Sequence, residues 1–147
     1  LRFLKLQAKT YIPFTYNVTL VSGVRYWKFV CSKETEAECF ERLLFGDTRG
    51  LWSEVKNVRK GDILFLFNLD TDVLFGPFVA ADDAGFNIEH NAWGGKYPSQ
   101  VKIQPPSVIM MLNNASKMFP FLRERRCSLS DEEGSALLER LLLQAVH

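Results

Sequence analysis

Residues 62–67 of this chain read Asp-Ile-Leu-Phe-Leu-Phe, which is apolar on both faces of any strand that it forms. Such a run predicts a strand buried within a sheet. Residues 68–72 follow with the polar chemistry of a turn, and residues 73–81 return as a second strand. The dipeptide Gly76-Pro77 in the returning strand predicts either a bulge or an edge position. This hairpin constrains the fold more than any other segment of the chain.

A strand and a helix are predicted before the hairpin. Residues 26–31 form a short apolar run after Ser22-Gly23, which favours a buried strand. The spacing then becomes helical, with Thr35 and Glu38 at capping-box spacing and Gly46 as the helix stop. The apolar stripe of this predicted helix consists of Ala37, Phe40, Leu43 and Leu44.

The segments outside these elements give weaker signals. One or two strands are expected within residues 1–21, broken near Pro13, and another strand at residues 101–103. Residues 82–98 form a loop rich in Gly and Asn. This loop is too long for a simple connector, so it is expected to be functional or packed on itself.

The C-terminal segment predicts a helix. Ser130 and Glu133 have capping-box spacing, and Asp131 and Glu132 suit the positive end of the helix dipole. An apolar stripe follows, and it is expected to pack on the same domain. The stripe consists of Leu137, Leu138, Leu141 and Leu142.

The charges of the chain are nearly balanced. Its 18 basic and 17 acidic side chains give a net charge of +1, which argues against strong nonspecific binding to nucleic acid or to an anionic membrane. No stretch approaches the roughly 18 apolar residues of a membrane span, and no signal peptide is visible. A cytoplasmic protein without a membrane partner is therefore expected. One local basic group is interpreted as a solvated face, and it consists of Lys117, Arg123, Arg125 and Arg126.

The residue types that most catalytic and metal sites require are scarce. The two histidines are His90 and His147, and the sequence lacks the motifs of zinc hydrolases, deaminases and serine hydrolases. The three cysteines lack the spacing of a disulfide framework or a zinc site. Cys31 or Cys39 could act as a nucleophile only with His90 as a distant base. We therefore expect a binding module rather than an enzyme, with no cofactor and no metal.

Large aromatic residues occupy the predicted loops. Trp52 follows the first helix, and Phe86, Trp93 and Tyr97 lie in the long loop among Asn and Gly residues. Such rings can stack on a base or enclose a methylated group. They can equally fold inward and cover the core. Both interpretations remain open from the sequence.

Several sequence blocks occur in a fixed order. They are a strand ending in Cys, a Thr/Glu-rich helix start, Leu-Phe-Gly, a Leu-Phe-Leu-Phe-Asn strand after a Gly, a Gly-x-Phe segment and a Tyr-Pro-x-Gln-Val strand. In the same order, the residues of the first five blocks are 29–32, 35–40, 44–46, Gly61 with 64–68, and 74–78. The last block corresponds to residues 97–98 and 100–101, and an Asn-Ile loop at residues 87–88 and residues 92–96 lead to it. Together these blocks resemble the DCD (development and cell death) domain family. The resemblance assigns residues 24–147 to a DCD-type domain and residues 1–23 to an N-terminal extension that packs on it.

The order of strand, helix, Trp and hairpin also resembles the YTH, EVE and ASCH group of PUA-like domains. This resemblance implies an α+β fold, specifically a PUA-like mixed β-barrel with flanking helices. Several members of the group bind modified bases or RNA in an aromatic pocket. In the YTH relatives, the stretch after the first strand and the Trp after the first helix line this pocket. The residues at those positions here are Cys31, Ser32, Lys33 and Trp52, with Trp93 as the candidate second ring.

The resulting hypothesis is a non-catalytic module that recognises a nucleotide, including a modified base, in RNA or single-stranded nucleic acid. Trp52 and Trp93 would stack on the base, while Ser32 and Asn68 would read base edges. The expected ligand-binding residues are Trp52, Trp93, Cys31, Ser32, Lys33, Asn68, Tyr97 and Phe86. The expected phosphate contacts are Arg49, Lys96 and Lys33.

The alternative hypothesis is a protein–protein interaction domain in stress or development signalling. In this case a protein partner would supply a peptide that binds the same loop and the exposed edge of the hairpin. The near-neutral net charge is compatible with this alternative, since RNA-binding domains are more often basic.

Overall fold

The computed structural model describes residues 23–145 of the chain. The strands expected within residues 1–21 lie outside these residues. The packing of the expected N-terminal extension stays a prediction for the same reason. No helix within residues 23–145 is long and apolar enough to cross a membrane.

The larger of two sheets has five strands in the order β7-β4-β3-β1-β8. Strand β1 lies parallel to β3, and the other neighbours are antiparallel. The predicted strand at residues 26–31 and both strands of the hairpin are confirmed at the centre of this sheet. The strands are β1 (Tyr26–Cys31), β3 (Ile63–Asn68), β4 (Val73–Val79), β7 (Met110–Asn113) and β8 (Ser128–Leu129).

The smaller sheet has three antiparallel strands in the order β2-β6-β5. These are β2 (Leu44–Asp47), β5 (Gly85–Phe86) and β6 (Ser99–Lys102). A single bridge between Ala80 and Ile103 links the end of β4 to the end of β6. The described residues form a mixed α+β fold with two sheets and flanking helices. The expected closure into a barrel is not observed, because the two sheets do not join into one continuous ladder.

Within residues 23–145, four α-helices flank the sheets, together with three short 3-10 segments. The helices are α1 (Glu36–Arg42), α2 (Trp52–Val55), α3 (Ala115–Met118) and α4 (Asp131–Ala145). The 3-10 segments are Arg49–Leu51, Ala92–Gly95 and Pro120–Arg123. The long loop predicted at residues 82–98 therefore contains the short strand β5 and one 3-10 segment, and is packed on the domain.

Helix α1 begins directly after Thr35 as predicted, but its expected capping and its expected end differ from the observed ones. The Thr35 hydroxyl does not cap the helix, because it accepts a hydrogen bond from the backbone N–H of Ser32 at 2.9 Å. The helix ends at Leu43, which takes the left-handed conformation with φ of 51°. The prediction that Gly46 stops the helix is wrong, since β2 begins directly after Leu43 and includes Gly46.

The hairpin of β3 and β4 contains the predicted irregularity at Gly76-Pro77. Leu64 pairs with Phe78 and Leu66 pairs with Phe75, so one extra residue of β4 is accommodated between these pairs. This confirms a bulge. The edge alternative is wrong, because β4 lies between β3 and β7.

Alternate residues of β3 enter two separate cores, one on each face of the larger sheet. Leu64 and Leu66 pack with the residues beneath the smaller sheet. Phe65 and Phe67 pack with the apolar stripe of α4. Residues 63–67 are apolar on both faces because each face of the larger sheet packs against a hydrophobic core. The stripe itself packs on the same domain as predicted, through Leu137, Leu138, Leu141 and Leu142.

The capping box of α4 is formed as predicted. The Ser130 hydroxyl accepts the Glu133 N–H at 3.0 Å, and the Glu133 carboxylate accepts the Ser130 N–H at 3.0 Å. The same carboxylate receives two hydrogen bonds from Arg126, at 2.9 and 2.7 Å. Hydrogen bonding to Arg126 lowers the pKa of Glu133 from 4.5 to about 2, although burial opposes this shift.

We expect Glu133→Gln to lower the free energy of unfolding by about 1 kcal/mol at neutral pH, because Gln keeps the cap but loses the ion pair. The folded-state pKa is lower than the ordinary value, so the stabilisation is complete above pH 4.5 and declines as the pH falls toward 2. Urea unfolding at a series of pH values measures this difference between wild type and variant. Glu132→Gln, at an exposed position of the same helical turn, is the control. A difference independent of pH would contradict the prediction.

Candidate functional site

A cleft of about 320 Å³ opens beside the end of β1. Strand β8 pairs with Tyr26 and Trp27 and then ends. The Lys28 N–H still donates to the Cys127 carbonyl at 2.8 Å, but no strand covers Val30 on that side within the described part of the chain. The cleft lies at this uncovered edge. The lining residues used below are Lys28, Asp47, Thr48, Trp93, Tyr97 and Arg125.

Four of the residues expected to bind a ligand line this cleft. They are Cys31, Ser32, Trp93 and Tyr97. The other six, including all three phosphate candidates, lie outside the lining. They are Lys33, Arg49, Trp52, Asn68, Phe86 and Lys96.

Trp93 and Tyr97 form the aromatic part of the cleft. Their rings meet edge to face, with centroids 5.9 Å apart. Trp93 is held by its backbone N–H, which donates to the Glu38 carboxylate at 2.8 Å, and its side chain is 7% exposed. Tyr97 is only half-buried. The inward-folding interpretation therefore applies to most of the Trp93 ring, while Tyr97 presents more of its surface to the cleft.

Gly46 makes room for the Trp93 ring. A Cβ atom at Gly46 would lie 2.5 Å from the Trp93 Cζ3 atom and 3.0 Å from the Tyr97 carbonyl oxygen. The glycine that was expected to stop a helix therefore lets the aromatic wall of the cleft lie directly on β2.

A second aromatic group, here called the outer aromatic cluster, consists of Arg49, Trp52 and Phe86. The Trp52 and Phe86 rings meet edge to face at 5.5 Å, and the Arg49 guanidinium carbon lies 4.8 Å from the centre of the Phe86 ring. Phe86 is 36% exposed, and Trp52 is half-buried against the core. The cluster is adjacent in sequence to Thr48 of the cleft but forms a separate surface.

Asn68 and Ser32 are occupied by contacts within the fold. The buried Asn68 amide donates to the Glu36 carboxylate at 2.8 Å, and its oxygen accepts two backbone N–H groups of the following turn. The Ser32 hydroxyl lies 3.2 Å from the Thr35 hydroxyl and accepts the Glu34 N–H. Lys33 and Lys96 are exposed.

Lys28 is a cleft residue that sequence reasoning missed. Its side chain is 1% exposed, and its ammonium donates to the carbonyl oxygens of Glu124 at 2.8 Å and Arg126 at 2.6 Å. Burial lowers the pKa of Lys28, and the positive charge of Arg126 lowers it further. The only indication in the sequence was a lysine in the middle of an apolar strand.

Asp47 is the second cleft residue that sequence reasoning did not identify. One of its carboxylate oxygens accepts the Thr48 N–H at 2.7 Å. Burial raises the pKa of Asp47, and the Thr48 hydrogen bond and the charges of Arg125 and Lys28 offset this shift only in part. The cleft thus contains a carboxylate and an ammonium in the same half-enclosed space.

Residues 122–126, here called the arginine segment, form another wall of the cleft. Arg126 is bound to Glu124 and Glu133, and Arg123 contacts Asp72 at 3.7 Å. Arg125 differs, because it is exposed and makes one hydrogen bond, to the Thr48 hydroxyl at 3.1 Å. Three members of the basic group that was interpreted as a solvated face, Arg123, Arg125 and Arg126, therefore border the cleft, while Lys117 lies outside its lining.

The Cys31 thiol is a poor candidate for a nucleophile. A hydrogen bond with Cys39 and burial both raise the pKa of Cys31 well above its ordinary value. A thiol with a raised pKa carries little thiolate at neutral pH. Between residues 23 and 145, no three side chains of His, Cys, Asp or Glu are grouped so that they could hold a metal ion.

The fold and the cleft together define an α+β domain with two sheets and an open, partly aromatic binding cleft. Residues 27–124, two thirds of the 147-residue chain, match the model of the development and cell death domain. The chain belongs to this family.

Curated relatives agree with this assignment. The chain is 38% identical over 82 residues to the DCD domain-containing protein NRP-B of Glycine max, covering 51% of this chain and 25% of that protein. It spans between 22% and 46% of the length of the curated relatives that it matches.

Two solved YTH domains share the fold. The Mmi1 YTH domain superposes with a TM-score of 0.62 at 13% identity, over 84% of this chain and 92% of that one. The YTH domain of Zygosaccharomyces rouxii MRB1, solved in complex with N6-methyladenosine RNA, gives 0.57 at 13% identity, over 82% and 88%. The predicted relation to YTH-type domains is thus confirmed at the level of the fold.

Proposed function

We propose that this domain is a non-catalytic module that binds a nucleotide, including a modified base, in RNA or another single-stranded nucleic acid. The observation that carries the proposal is that Trp93, Tyr97 and Arg125 line one cleft. Aromatic rings supply stacking surface for a base, and an arginine supplies a contact for phosphate. The volume of about 320 Å³ lies within the range of small-ligand sites.

The YTH domain of Zygosaccharomyces rouxii MRB1 has a similar fold and was solved in complex with N6-methyladenosine RNA, which supports the proposal. The net charge of +1 is compatible with binding of a single nucleotide, because a long phosphate backbone would require more cationic contacts. In this proposal Cys31 and Ser32 border the bound base. The outer aromatic cluster offers a second platform for a neighbouring base, where Trp52 and Phe86 stack and Arg49 contacts phosphate.

Fluorescence anisotropy with a short labelled single-stranded RNA tests the proposal. We expect Tyr97→Ala to weaken binding about tenfold, since a stacked base contributes about 1–3 kcal/mol. Tyr97→Phe keeps the ring and is the matched control. Trp52→Ala should have a smaller effect. The opposite order, with Trp52→Ala abolishing binding and Tyr97→Ala neutral, would move the site to the outer aromatic cluster.

Arg125→Ala in the same assay should weaken binding and reduce the slope of log affinity against log salt by about 0.7, as expected for one lost phosphate contact. Lys60→Ala, at an exposed position outside the cleft, should leave the slope unchanged. Absence of binding to any RNA at low salt would overturn the proposed function.

The alternative, a protein-interaction domain, cannot use an exposed edge of the hairpin as expected, because β1 and β7 cover the hairpin on both sides. One observation favours the alternative at a different strand. Val108 is 68% exposed, Ile109 41% and Met111 49%, and they lie on or beside β7, an edge strand of the larger sheet. Exposed apolar residues on a sheet edge are typical of strand-pairing surfaces. A protein partner captured after nuclease treatment and lost with Met111→Lys would support this alternative over RNA binding.

A further inference from the structure

The Lys28 ammonium retains hydrogen-bonding capacity on the inner side of the cleft. An ammonium has three N–H donors. Among the described residues, Lys28 uses two of them, for the carbonyl oxygens of Glu124 and Arg126. Lys28 is 1% exposed and lines the cleft, so its third donor can reach only a group that is placed at the floor of the cleft.

The Asp47 carboxylate supplies acceptors in the same cleft. An ionised carboxylate accepts hydrogen bonds on both oxygens and donates none. The Thr48 N–H occupies one position on one oxygen and thereby fixes the orientation of the group. In the part of the chain that the structure describes, no hydrogen bond joins Asp47 to Lys28 or to Arg125. Its remaining acceptor positions are therefore open to a ligand.

An ammonium donor and a carboxylate that line one cleft have a specific complement among the bases. Guanine carries a carbonyl oxygen, a ring N–H and an exocyclic amine in a row along one edge. Adenine offers an amine and a ring acceptor, so it satisfies one carboxylate oxygen at most. Uracil places a second carbonyl where the amine of guanine stands, which brings it against the carboxylate. Hydrogen bonds to charged groups are about twice as strong as neutral ones, so this mismatch is costly.

We propose that the cleft selects guanine, with the Lys28 ammonium donating to the guanine carbonyl oxygen and the Asp47 carboxylate accepting the ring N–H and the exocyclic amine. This inference rests on the proposed function, because it names the base that the nucleotide site takes. Tyr97 then contacts the base plane, and Arg125 at the rim is placed for phosphate. Lys28 and Asp47 act as the residues that determine specificity.

Isothermal titration of the full chain with four nucleoside monophosphates tests the inference. The probes are the monophosphates of guanosine, inosine, adenosine and N6-methyladenosine. Inosine keeps the carbonyl and the ring N–H of guanosine but lacks the exocyclic amine. We expect guanosine monophosphate to bind about tenfold more tightly than adenosine monophosphate, with inosine monophosphate between them.

Asp47→Asn is the diagnostic variant, since Asn has nearly the same shape but offers one acceptor. It should reduce the preference for guanosine over adenosine monophosphate to near unity. Asp83→Asn, an exposed position outside the cleft, should retain the preference. Thermal unfolding of each variant verifies that the fold is intact.

The possible outcomes separate the inference from the function on which it rests. Equal affinity for all four probes, or tighter binding of either adenosine compound, overturns guanine selection and leaves nucleotide binding in place. A guanosine preference that persists in Asp47→Asn also overturns the inference. No binding of any monophosphate overturns the inference, and only if the labelled RNA also fails to bind is the proposed function overturned with it.

Discussion

Replacing Gly134 by Ala should destabilise the domain by about 2 kcal/mol or more, although Ala is the better helix former. Gly134 lies inside α4 and is buried. Helix propensity alone predicts a gain of about 1 kcal/mol for Gly→Ala. A Cβ atom at this position would, however, overlap the Cβ and Cγ atoms of Tyr26. Tyr26 is itself buried and stacked on Phe65 at 6.4 Å, so it has no room to withdraw.

Urea unfolding followed by circular dichroism measures this effect. Ser135→Ala is the matched control, because Ser135 is the next residue of the helix and is exposed. It should be neutral or slightly stabilising. A higher free energy of unfolding for Gly134→Ala would mean that α4 does not pack as closely against Tyr26 of β1 as described.

The second large effect is expected for Asp62→Ala. The Asp62 side chain belongs to a residue that is 4% exposed, and it accepts three hydrogen bonds. The donors are the Trp27 indole N–H at 2.9 Å, the Arg59 N–H at 2.9 Å and the Arg25 N–H at 3.3 Å. A buried donor left without a partner costs about 1–3 kcal/mol. We therefore expect the free energy of unfolding to fall by about 3 kcal/mol or more.

The same denaturation experiment, with a double-mutant cycle, tests this prediction. Trp27→Phe removes one donor, so its effect and that of Asp62→Ala should be less than additive. Asp82→Ala, at an exposed carboxylate with one local hydrogen bond, should change stability by less than about 0.5 kcal/mol. Strict additivity of Trp27→Phe and Asp62→Ala would contradict the observed contact.

Local periodicity predicts the central elements because their signals lie within single segments. Strands β1, β3 and β4 and helix α4 each carry an apolar pattern, a turn or a cap of their own. Strand β7 lies in an apolar run too, residues 108–112, but this run was not predicted as a strand. Most of the run is exposed, and the strand is held by pairing with β4, where Asn113 lies opposite Val73. Pairing with a neighbour far along the chain is not visible in the residues of the strand itself.

The cleft was predictable only in part for the same reason. Trp93 and Tyr97 are conspicuous, since aromatic rings in a glycine-rich loop require a contact. Lys28 gives no comparable indication, because its acceptors are carbonyl groups 96 and 98 residues further along the chain. Arg125 was read as surface charge. Its position over the cleft depends on how the chain returns to β1 through residues 119–128, which local sequence does not specify.

The shortness of β8 has a consequence for how this fold can diversify. Since β8 spans Ser128–Leu129 and pairs with two residues of β1, the rest of that edge stays open. In the register of β8 on β1, residue 125 stands opposite Val30, so lengthening the strand by three residues at its start would cover Val30 and fill this part of the cleft with main chain. In relatives with a longer strand at this position, we expect the edge of β1 to be fully paired and the cleft to be absent. The length of the segment before α4 can thus change whether the cleft is open to a ligand, while the buried core of the domain stays the same.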